Sequence, residues 1–120
     1  MRRPEAAGPW GERKAAQFLR KKGYKIVEMN HSCRFGEIDI IAQNEEFLLF
    51  VEVKLRKDDS HGEAREFVTP RKQMRLLRTA ELYLSQYPTE KQPRFDVVEI
   101  YANAGVLTAK PVINHLEDVF

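Results

Sequence analysis

The chain has 120 residues, a length typical of one folded domain, and 42% of them are hydrophobic while 32% are charged. Its one cysteine, Cys33, excludes an intrachain disulfide and fits a reducing compartment. The longest continuous apolar run, Phe47 to Val51, is too short to cross a bilayer, and the N-terminus lacks the apolar core of a secretory signal. We therefore expect one domain over residues 1–120, a cytoplasmic location and no membrane partner.

Charge is distributed unevenly along the chain, although the net charge is only +2. Residues 1–34 carry a net +6 and residues 67–94 a net +4, whereas residues 35–66 carry −5 and the last 26 residues carry −3. An acidic centre between basic segments would suit a polyanion held by its flanks above a cation-binding spot. An ordinary mixed surface would give the same totals, so charge alone leaves both interpretations open.

The N-terminal half begins with a predicted helix from about Pro9 to Lys22. Pro9 suits the first helical position, and Gly23 suits the residue after the last one. A strand is predicted over residues 24–30. The segment GEIDIIAQNEEFLLFVEVKLRK, residues 36–57, then has the alternating pattern of a two-stranded hairpin. The polar stretch that follows it is predicted to be a mobile loop.

The C-terminal half is predicted to hold one helix and two strands. Thr69 and Pro70 form a favourable N-cap and first helical residue, and this helix should run to about Gln86. Strands are predicted over residues 94–103 and 106–113. The resulting order, α-β-β-β-α-β-β, predicts an α/β fold in which helices flank a central mixed β-sheet.

Charged side chains interrupt one face of the hairpin pattern. A tight turn at residues 45–46 would pair residues whose numbers sum to 91. Asp39 then lies opposite Glu52, with Cβ atoms about 5 Å apart, and like charges so placed destabilise a sheet unless something intervenes. A divalent cation such as Mg²⁺ would intervene, because it prefers carboxylate oxygens with open positions for water and phosphate.

Lys54 lies beyond Glu52 on the same face of the strand. An ammonium group there could hold an attacking water or stabilise charge on a phosphate. Arg56 continues this charged face. The alternative is a solvated face with a salt bridge between Glu37 and Lys54, which leaves the opposed acids unexplained.

An acid on one strand followed by E-x-K on the next resembles the PD-(D/E)xK nuclease superfamily. More narrowly, the chain resembles the YraN-like family of small bacterial proteins. The matching stretches span most of the chain and are GERKAAQFLRKKGYKIVEMN, GEIDIIA, FVEVKLR, VTPRKQMRLLRTAELYL and RFDVVEI. The resemblance implies a restriction-endonuclease-like core related to Holliday-junction resolvases and restriction enzymes. Ile38 stands where the superfamily motif has its proline.

On the matching positions, the resemblance implies Asp39 and Glu52 as ligands of Mg²⁺ or Mn²⁺ and Lys54 as the catalytic lysine. It further implies a metal-binding backbone carbonyl beside Glu52, that of Val53. Glu12 shares a helical face with apolar residues, which aims it at the sheet as a further metal ligand. A first-turn acid favoured by the helix dipole explains Glu12 equally well.

The second helix carries further candidates. Related nucleases often place a lysine or glutamine there against the phosphate, which implies such a role for Lys72 and Gln73. Alternatively, Lys72 is a solvated charge and Gln73 a buried-edge amide. Gln73 would then lie on a core stripe with Leu77, Ala80, Leu84 and Tyr87.

A basic stripe is also predicted on this helix. Arg71, Arg75 and Arg78 recur at helical spacing and, with Arg56 and Lys72, could contact backbone phosphates. A solvated helix face explains the stripe equally well.

Two other groups of polar residues favour a structural interpretation. Asp96 is expected to pair with Arg94 or to lie near the site. The three histidines are scattered without ligand spacing, which argues against a zinc site.

These observations predict a metal-dependent endonuclease, a hydrolase of phosphodiester bonds in branched or structured DNA. DNA is favoured over RNA because nothing in the sequence reads a 2′-hydroxyl. A homodimer would suit a substrate with two strands to cut. The alternative is a non-catalytic nucleic-acid-binding protein that retains the nuclease fold and binds equally well in chelator.

Overall fold

A computed structural model of the chain describes residues 7–57 and 69–120. The predicted loop at residues 57–66 lies, apart from Lys57, outside the described residues. The helices and strands, in chain order, are α1 (Ala7–Lys21), β1 (Lys25–Cys33), β2 (Gly36–Gln43), β3 (Phe47–Arg56), α2 (Pro70–Gln86), β4 (Gln92–Tyr101) and β5 (Val112–Leu116), with a short 3₁₀ helix at Gly105–Leu107.

The five strands form one mixed sheet in the order β1-β2-β3-β4-β5. β3 and β4 are parallel, and the other neighbouring strands are antiparallel. Since parallel strands need a long crossover, the chain between β3 and β4 includes α2. The predicted order α-β-β-β-α-β-β and the mixed sheet flanked by two helices are therefore confirmed, and the fold is compatible with a nuclease-like core.

The end of α1 and the start of α2 lie where the sequence predicts to within one residue, although α1 begins at Ala7 and not at Pro9. Gly23 has a φ of +98°, which favours glycine, and its N–H bonds to Arg20 O as the chain leaves α1. At α2, the Thr69 hydroxyl accepts a hydrogen bond from the Lys72 backbone N–H, and Pro70 takes the first helical position.

Two hydrophobic clusters lie on opposite faces of the sheet, because neighbouring residues of each strand point to opposite sides. α1 packs on one face, against a cluster that includes Leu49 and Val51. α2 packs on the other face, against a cluster that includes Leu48 and Phe50. Each helix therefore approaches the sheet from its own side.

The predicted core stripe of α2 is right for Ala80 and Leu84, which pack on the sheet, but wrong for Leu77 and Tyr87. Leu77 and Tyr87 are 38% and 58% exposed, whereas the buried residues are Leu76, Thr79, Ala80 and Tyr83. Tyr83 sets the rotation of α2, because its ring packs edge-on against Phe50, with 5.8 Å between ring centroids. Gln73 consequently lies half-buried at the margin of the packed face.

The predicted last strand also begins too early. The 3₁₀ helix occupies Gly105–Leu107, and β5 pairs with β4 only from Val112 onward. Gly105 turns the chain at a φ of +57°, and Pro111, which has no N–H to donate, lies just before the strand.

Asp96 forms a buried polar network that joins β4 to β5. It is 1% exposed and accepts two hydrogen bonds from Arg94, at 2.9 and 2.8 Å. His115 lies 2.6 Å away through its Nε2. Burial alone would raise the pKa of Asp96, but the hydrogen bonds from His115 and Arg94 outweigh it and hold that pKa below its ordinary value. The predicted pairing with Arg94 is confirmed.

Replacing Asp96 with Ala should lower the free energy of unfolding by about 3–5 kcal/mol, because Arg94 then remains buried without this acceptor. Urea denaturation followed by circular dichroism measures the change. The double variant Arg94→Met/Asp96→Leu should recover part of the loss, since no guanidinium is left stranded, while the His115 ring and the Asp118 N–H still lack their acceptor. A double variant less stable than Asp96→Ala would contradict this account.

Candidate functional site

The pairing of β2 with β3 follows the predicted register for only part of its length. Ile40 pairs with Val51 and Ile41 with Phe50, and both sums equal the predicted 91. The pairing ends at Ile40, whereas β3 continues beside β4 as far as Arg56. The predicted cross-strand pairs of Asp39 with Glu52 and of Glu37 with Lys54 are therefore wrong.

The Asp39 carboxylate replaces the missing strand partner of β3. Its Oδ2 accepts a hydrogen bond of 2.8 Å from the backbone N–H of Val53. β2 is irregular at this point, because Ile38 packs in the α2 cluster while Ile40 packs in the α1 cluster. In a regular strand these two residues would share a face. Asp39 thus lies where β2 separates from β3.

Three carboxylates meet in this opening. One oxygen from each of Glu12, Glu37 and Asp39 lies within 4.8 Å of the others. Glu12 comes from α1, on the side of the helix that faces the sheet, as the sequence predicts. Glu37 is not among the predicted metal ligands, since the sequence indicates for it only the alternative salt bridge with Lys54.

Asn30 holds two of these acids together. Its side-chain nitrogen, in the orientation that its neighbours require, donates to Glu12 at 2.8 and 3.2 Å and to Glu37 at 3.0 Å. Asn30 has a φ of +54°, a conformation that asparagine tolerates better than most residues. Nothing in the sequence indicates the role of Asn30, since the strand pattern of β1 does not show which position leaves the regular geometry.

Two of the three acids have raised pKa values. The pKa of Asp39 rises to about 6, because burial and the charges of Glu52, Glu12 and Glu37 together outweigh the hydrogen bond from Val53, which lowers it. Burial also raises the pKa of Glu12, and the charge of Glu37 contributes. An added cation would therefore relieve a repulsion that exists in the folded protein.

Glu52 lies beside this cluster but is held by two ammonium groups. Its Oε1 accepts a 2.6 Å hydrogen bond from Lys72 and lies 3.4 Å from Lys54 Nζ. Burial lowers the pKa of Lys54, and the neighbouring Lys72 adds to that effect. Burial would lower the pKa of Lys72 as well, but the hydrogen bond that Lys72 donates to Glu52 outweighs burial and raises that pKa. Of the two lysines, Lys54 is the one whose proton is more weakly held.

The predicted nucleic-acid contacts divide into two sets. Arg71, Arg75 and Arg78 are exposed on α2. Arg56 is instead mostly buried, and its Nε donates to Glu99 at 3.1 Å. The structure therefore separates Arg56 from the exposed arginines and gives it an intramolecular contact.

A cavity of about 360 Å³ connects the acids to α2. Its described lining is Gly36, Glu37, Thr69, Arg71, Lys72, Arg75 and Leu76. One wall thus carries an acid of the cluster, and the opposite wall carries basic side chains from the first turns of α2. Gln73 belongs to the same part of α2, and its backbone N–H donates to Thr69 O.

No helix in the described ranges is long and apolar enough to span a bilayer. The mixed sheet, its two flanking helices and the neighbouring acids and lysines are compatible with a nuclease-like core. Residues 11–100 match the family model described as Uncharacterised protein family UPF0102, and the chain belongs to this family. The predicted YraN-like resemblance is thereby confirmed.

Relatives cover most of the chain. A UPF0102 protein of Caldanaerobacter subterraneus subsp. tengcongensis is 42% identical over 117 residues, which cover 97% of this chain and 95% of that protein. A UPF0102 protein of Syntrophomonas wolfei subsp. wolfei is 45% identical over 114 residues, with coverages of 94% and 96%. One from Symbiobacterium thermophilum is 50% identical over 94 residues, with coverages of 78% and 80%.

Replacing Asp39 with Asn should stabilise the metal-free protein at pH 8 by about 1–2 kcal/mol. The folded pKa of about 6 exceeds the ordinary 3.8, so the folded state binds more protons than the unfolded chain between these values. The parent's free energy of unfolding therefore falls as the pH rises through this window. The gain should vanish by about pH 4, where the folded parent holds the proton.

Urea denaturation in chelator at both pH values measures this difference. The matched control is Glu46→Gln, which neutralises an exposed acid at the tip of the β2–β3 hairpin. An equal gain from Asp39→Asn at pH 4 and pH 8 would show that the carboxylate charge is not responsible.

Proposed function

We propose that this protein is a metal-dependent endonuclease that hydrolyses phosphodiester bonds in DNA. The observation that carries the proposal is the meeting of Glu12, Glu37 and Asp39 within 4.8 Å, beside a glutamate held by two lysines. Carboxylates at this separation repel one another, and proteins gather them mainly where a cation or a shared proton offsets the repulsion.

The donor chemistry fits Mg²⁺ or Mn²⁺, since hard cations select carboxylate and carbonyl oxygens. Asp39 and Glu52 would hold the metal, together with Glu12 and the Val53 carbonyl, and Glu37 joins this set. A bound metal would polarise the phosphate and lower the pKa of a water molecule. The raised pKa of Asp39 supports the fit, because a cation would replace the proton that this crowded carboxylate otherwise tends to take.

Lys54 and Lys72 have separate roles in this proposal. Lys72 holds Glu52 at 2.6 Å, which fixes the orientation of that carboxylate. Lys54, 3.4 Å from the same oxygen, contacts the attacking water or stabilises charge on the phosphate. Gln73, on the same turn of α2 as Lys72, assists in orienting the phosphate.

The exposed arginines of α2 supply the contacts to the DNA backbone. Arg71, Arg75 and Arg78 would bind phosphates on either side of the cleaved bond, and Lys72 extends this basic surface. These contacts carry no base information, so the shape of the DNA decides where the enzyme acts. Branched DNA, cut on two strands, would suit a homodimer with two such sites.

A second candidate function is nucleic-acid binding without turnover. Glu52 favours this candidate, because Lys72 and Lys54 already neutralise its carboxylate and no metal is needed for that purpose. A binding protein of this kind would hold nucleic acid equally well in chelator and would never cut it.

Calorimetric titration of Mn²⁺ tests the metal site directly. The parent should bind Mn²⁺, and Asp39→Asn should weaken binding at least about tenfold, because the remaining acids lack the central carboxylate. Glu46→Gln, which removes a charge outside the cluster, should bind like the parent. Absence of binding to the parent, with nucleic acid present as well, would favour the non-catalytic candidate.

Lys54→Ala should lower the rate of DNA cleavage on the order of 10²–10⁴-fold while the variant still binds DNA and unfolds cooperatively. Gel assays over branched, flapped and single-stranded substrates with Mn²⁺ measure the rate. Lys110→Ala removes an exposed lysine elsewhere and is the matched control. Unchanged cleavage by both Lys54→Ala and Asp39→Asn would refute the proposed site.

A further inference from the structure

A second groove lies next to the cavity of the acid cluster, between the β1–β2 turn and α2. It has a volume of about 430 Å³, and its described lining is Arg34, Phe35, Arg71, Met74, Arg75 and Arg78. The lining thus contains four arginines and, among the described residues, no acidic side chain. Such a surface attracts a polyanion.

The arginines of this groove destabilise α2. Arg71, Arg75 and Arg78 share a helix face, where like charges three and four residues apart repel one another. The first turn of α2 contains Arg71 and Lys72 and no acidic residue, which is the opposite of what the helix dipole favours. A bound anion would reverse both effects.

Phe35 distinguishes this groove from a surface that binds only phosphate. The guanidinium groups of Arg34 and Arg78 lie 4.8 and 6.0 Å from the centre of its ring. Met74 is 52% exposed in the same lining. Aromatic rings and guanidinium planes stack on nucleobases, but duplex DNA keeps the faces of its bases covered. An unpaired nucleotide exposes the base face that this wall can stack on.

The turn that carries Phe35 is fixed against α2 before any ligand arrives. The Cys33 thiol donates to the Thr79 hydroxyl at 3.7 Å, and the Phe35 backbone N–H donates to the Cys33 sulfur at 3.4 Å. Gly36 approaches closely as well, since a Cβ added there would lie 3.6 Å from the Thr79 hydroxyl. A preformed wall of this kind binds at a lower entropic cost.

The groove is continuous with the acid cluster. Arg71 and Arg75 line both cavities, and Glu37 and Lys72 line the one nearer the acids. A strand whose phosphates follow these two arginines would place one nucleotide against Phe35 and the next linkage beside Glu37.

We infer that the groove between Phe35 and α2 binds an unpaired nucleotide next to the cleaved linkage, so that the substrate is a single strand or a flap. The role of this strand as a substrate rests on the proposed function, but its binding in the groove requires neither metal nor cleavage. DNA and RNA present the same phosphates and base faces, and both belong to the chemical class that the groove recognises.

Fluorescence anisotropy in chelator, with labelled oligo-dT and a duplex of equal phosphate number, tests the inference. The parent should bind oligo-dT more tightly than the duplex. Phe35→Leu keeps an apolar side chain in the turn but removes the ring, and it should weaken oligo-dT binding about tenfold with less than a twofold change for the duplex. Arg75→Gln should weaken both and reduce the salt dependence of binding by about one released ion.

Tyr87→Ala is the matched control, because it removes an exposed aromatic ring at the far end of α2. It should bind both ligands like the parent. Equal binding of oligo-dT by Phe35→Leu and the parent would overturn the inference, and so would an equal loss for oligo-dT and duplex. Tighter binding of oligo-dU or oligo-U than of the duplex supports it, and because these two strands share a base, the difference between them tells which sugar the groove accepts.

The two proposals fail separately when binding in chelator is compared with the Mn²⁺ cleavage assay. A selective effect of Phe35→Leu in a protein that never cleaves would leave the groove assigned and refute only the nuclease proposal. Cleavage of duplex and single strands at equal rates, with no effect of Phe35→Leu on binding, would refute the groove and leave the nuclease proposal standing.

Discussion

The hydrogen bond from the Val53 backbone to the Asp39 carboxylate determines the geometry around it. A side chain here takes the place that a neighbouring backbone carbonyl would occupy in a longer hairpin. β3 can therefore leave β2 without stranding a buried donor, while its pairing with β4 continues without a break. The opening that results admits Glu12 from α1 and Glu37 from β2. In a regular β2, Asp39 would share the face of Ile41 toward α2, and the sheet would separate it from Glu12.

The candidate site draws its charges from both faces of the sheet. α1 brings an acid from one side, and α2 brings Lys72 from the other to hold Glu52. The result is a polarised site, with crowded carboxylates whose pKa values rise and a neighbouring glutamate already balanced by two ammonium groups. This separation would suit the nuclease proposed above, since a metal and a phosphate need opposite charges within a few ångströms of each other. The basic groove of α2 adjoins this site, since Arg71 and Arg75 line both cavities.

Local signals in the sequence predicted much of the fold. Caps at Gly23 and Thr69 indicated the helix boundaries, and alternation in the hairpin indicated a register that β2 and β3 follow where they pair. The aim of Glu12 toward the sheet was also predictable from helical spacing. Interactions between elements set the rest: packing of Tyr83 rotates α2, and the departure of β2 from β3 brings in Glu37 and Asn30. A sequence pattern assumes regular strands, so it could not indicate where the regular geometry of β2 ends. It also could not indicate that Arg56 would form an ion pair with Glu99 on the neighbouring strand.

No short fragment of the chain contains the whole acid cluster together with its lysines. Glu12, Asp39 and Lys72 are far apart in sequence and meet only after both helices have docked on the sheet. Folding contacts of such long range form late, because closing the intervening loops must come first. On the function proposed here, a partly folded or newly emerging chain would be chemically silent toward nucleic acid. Completion of the fold would act as the safeguard that restricts cutting to finished molecules.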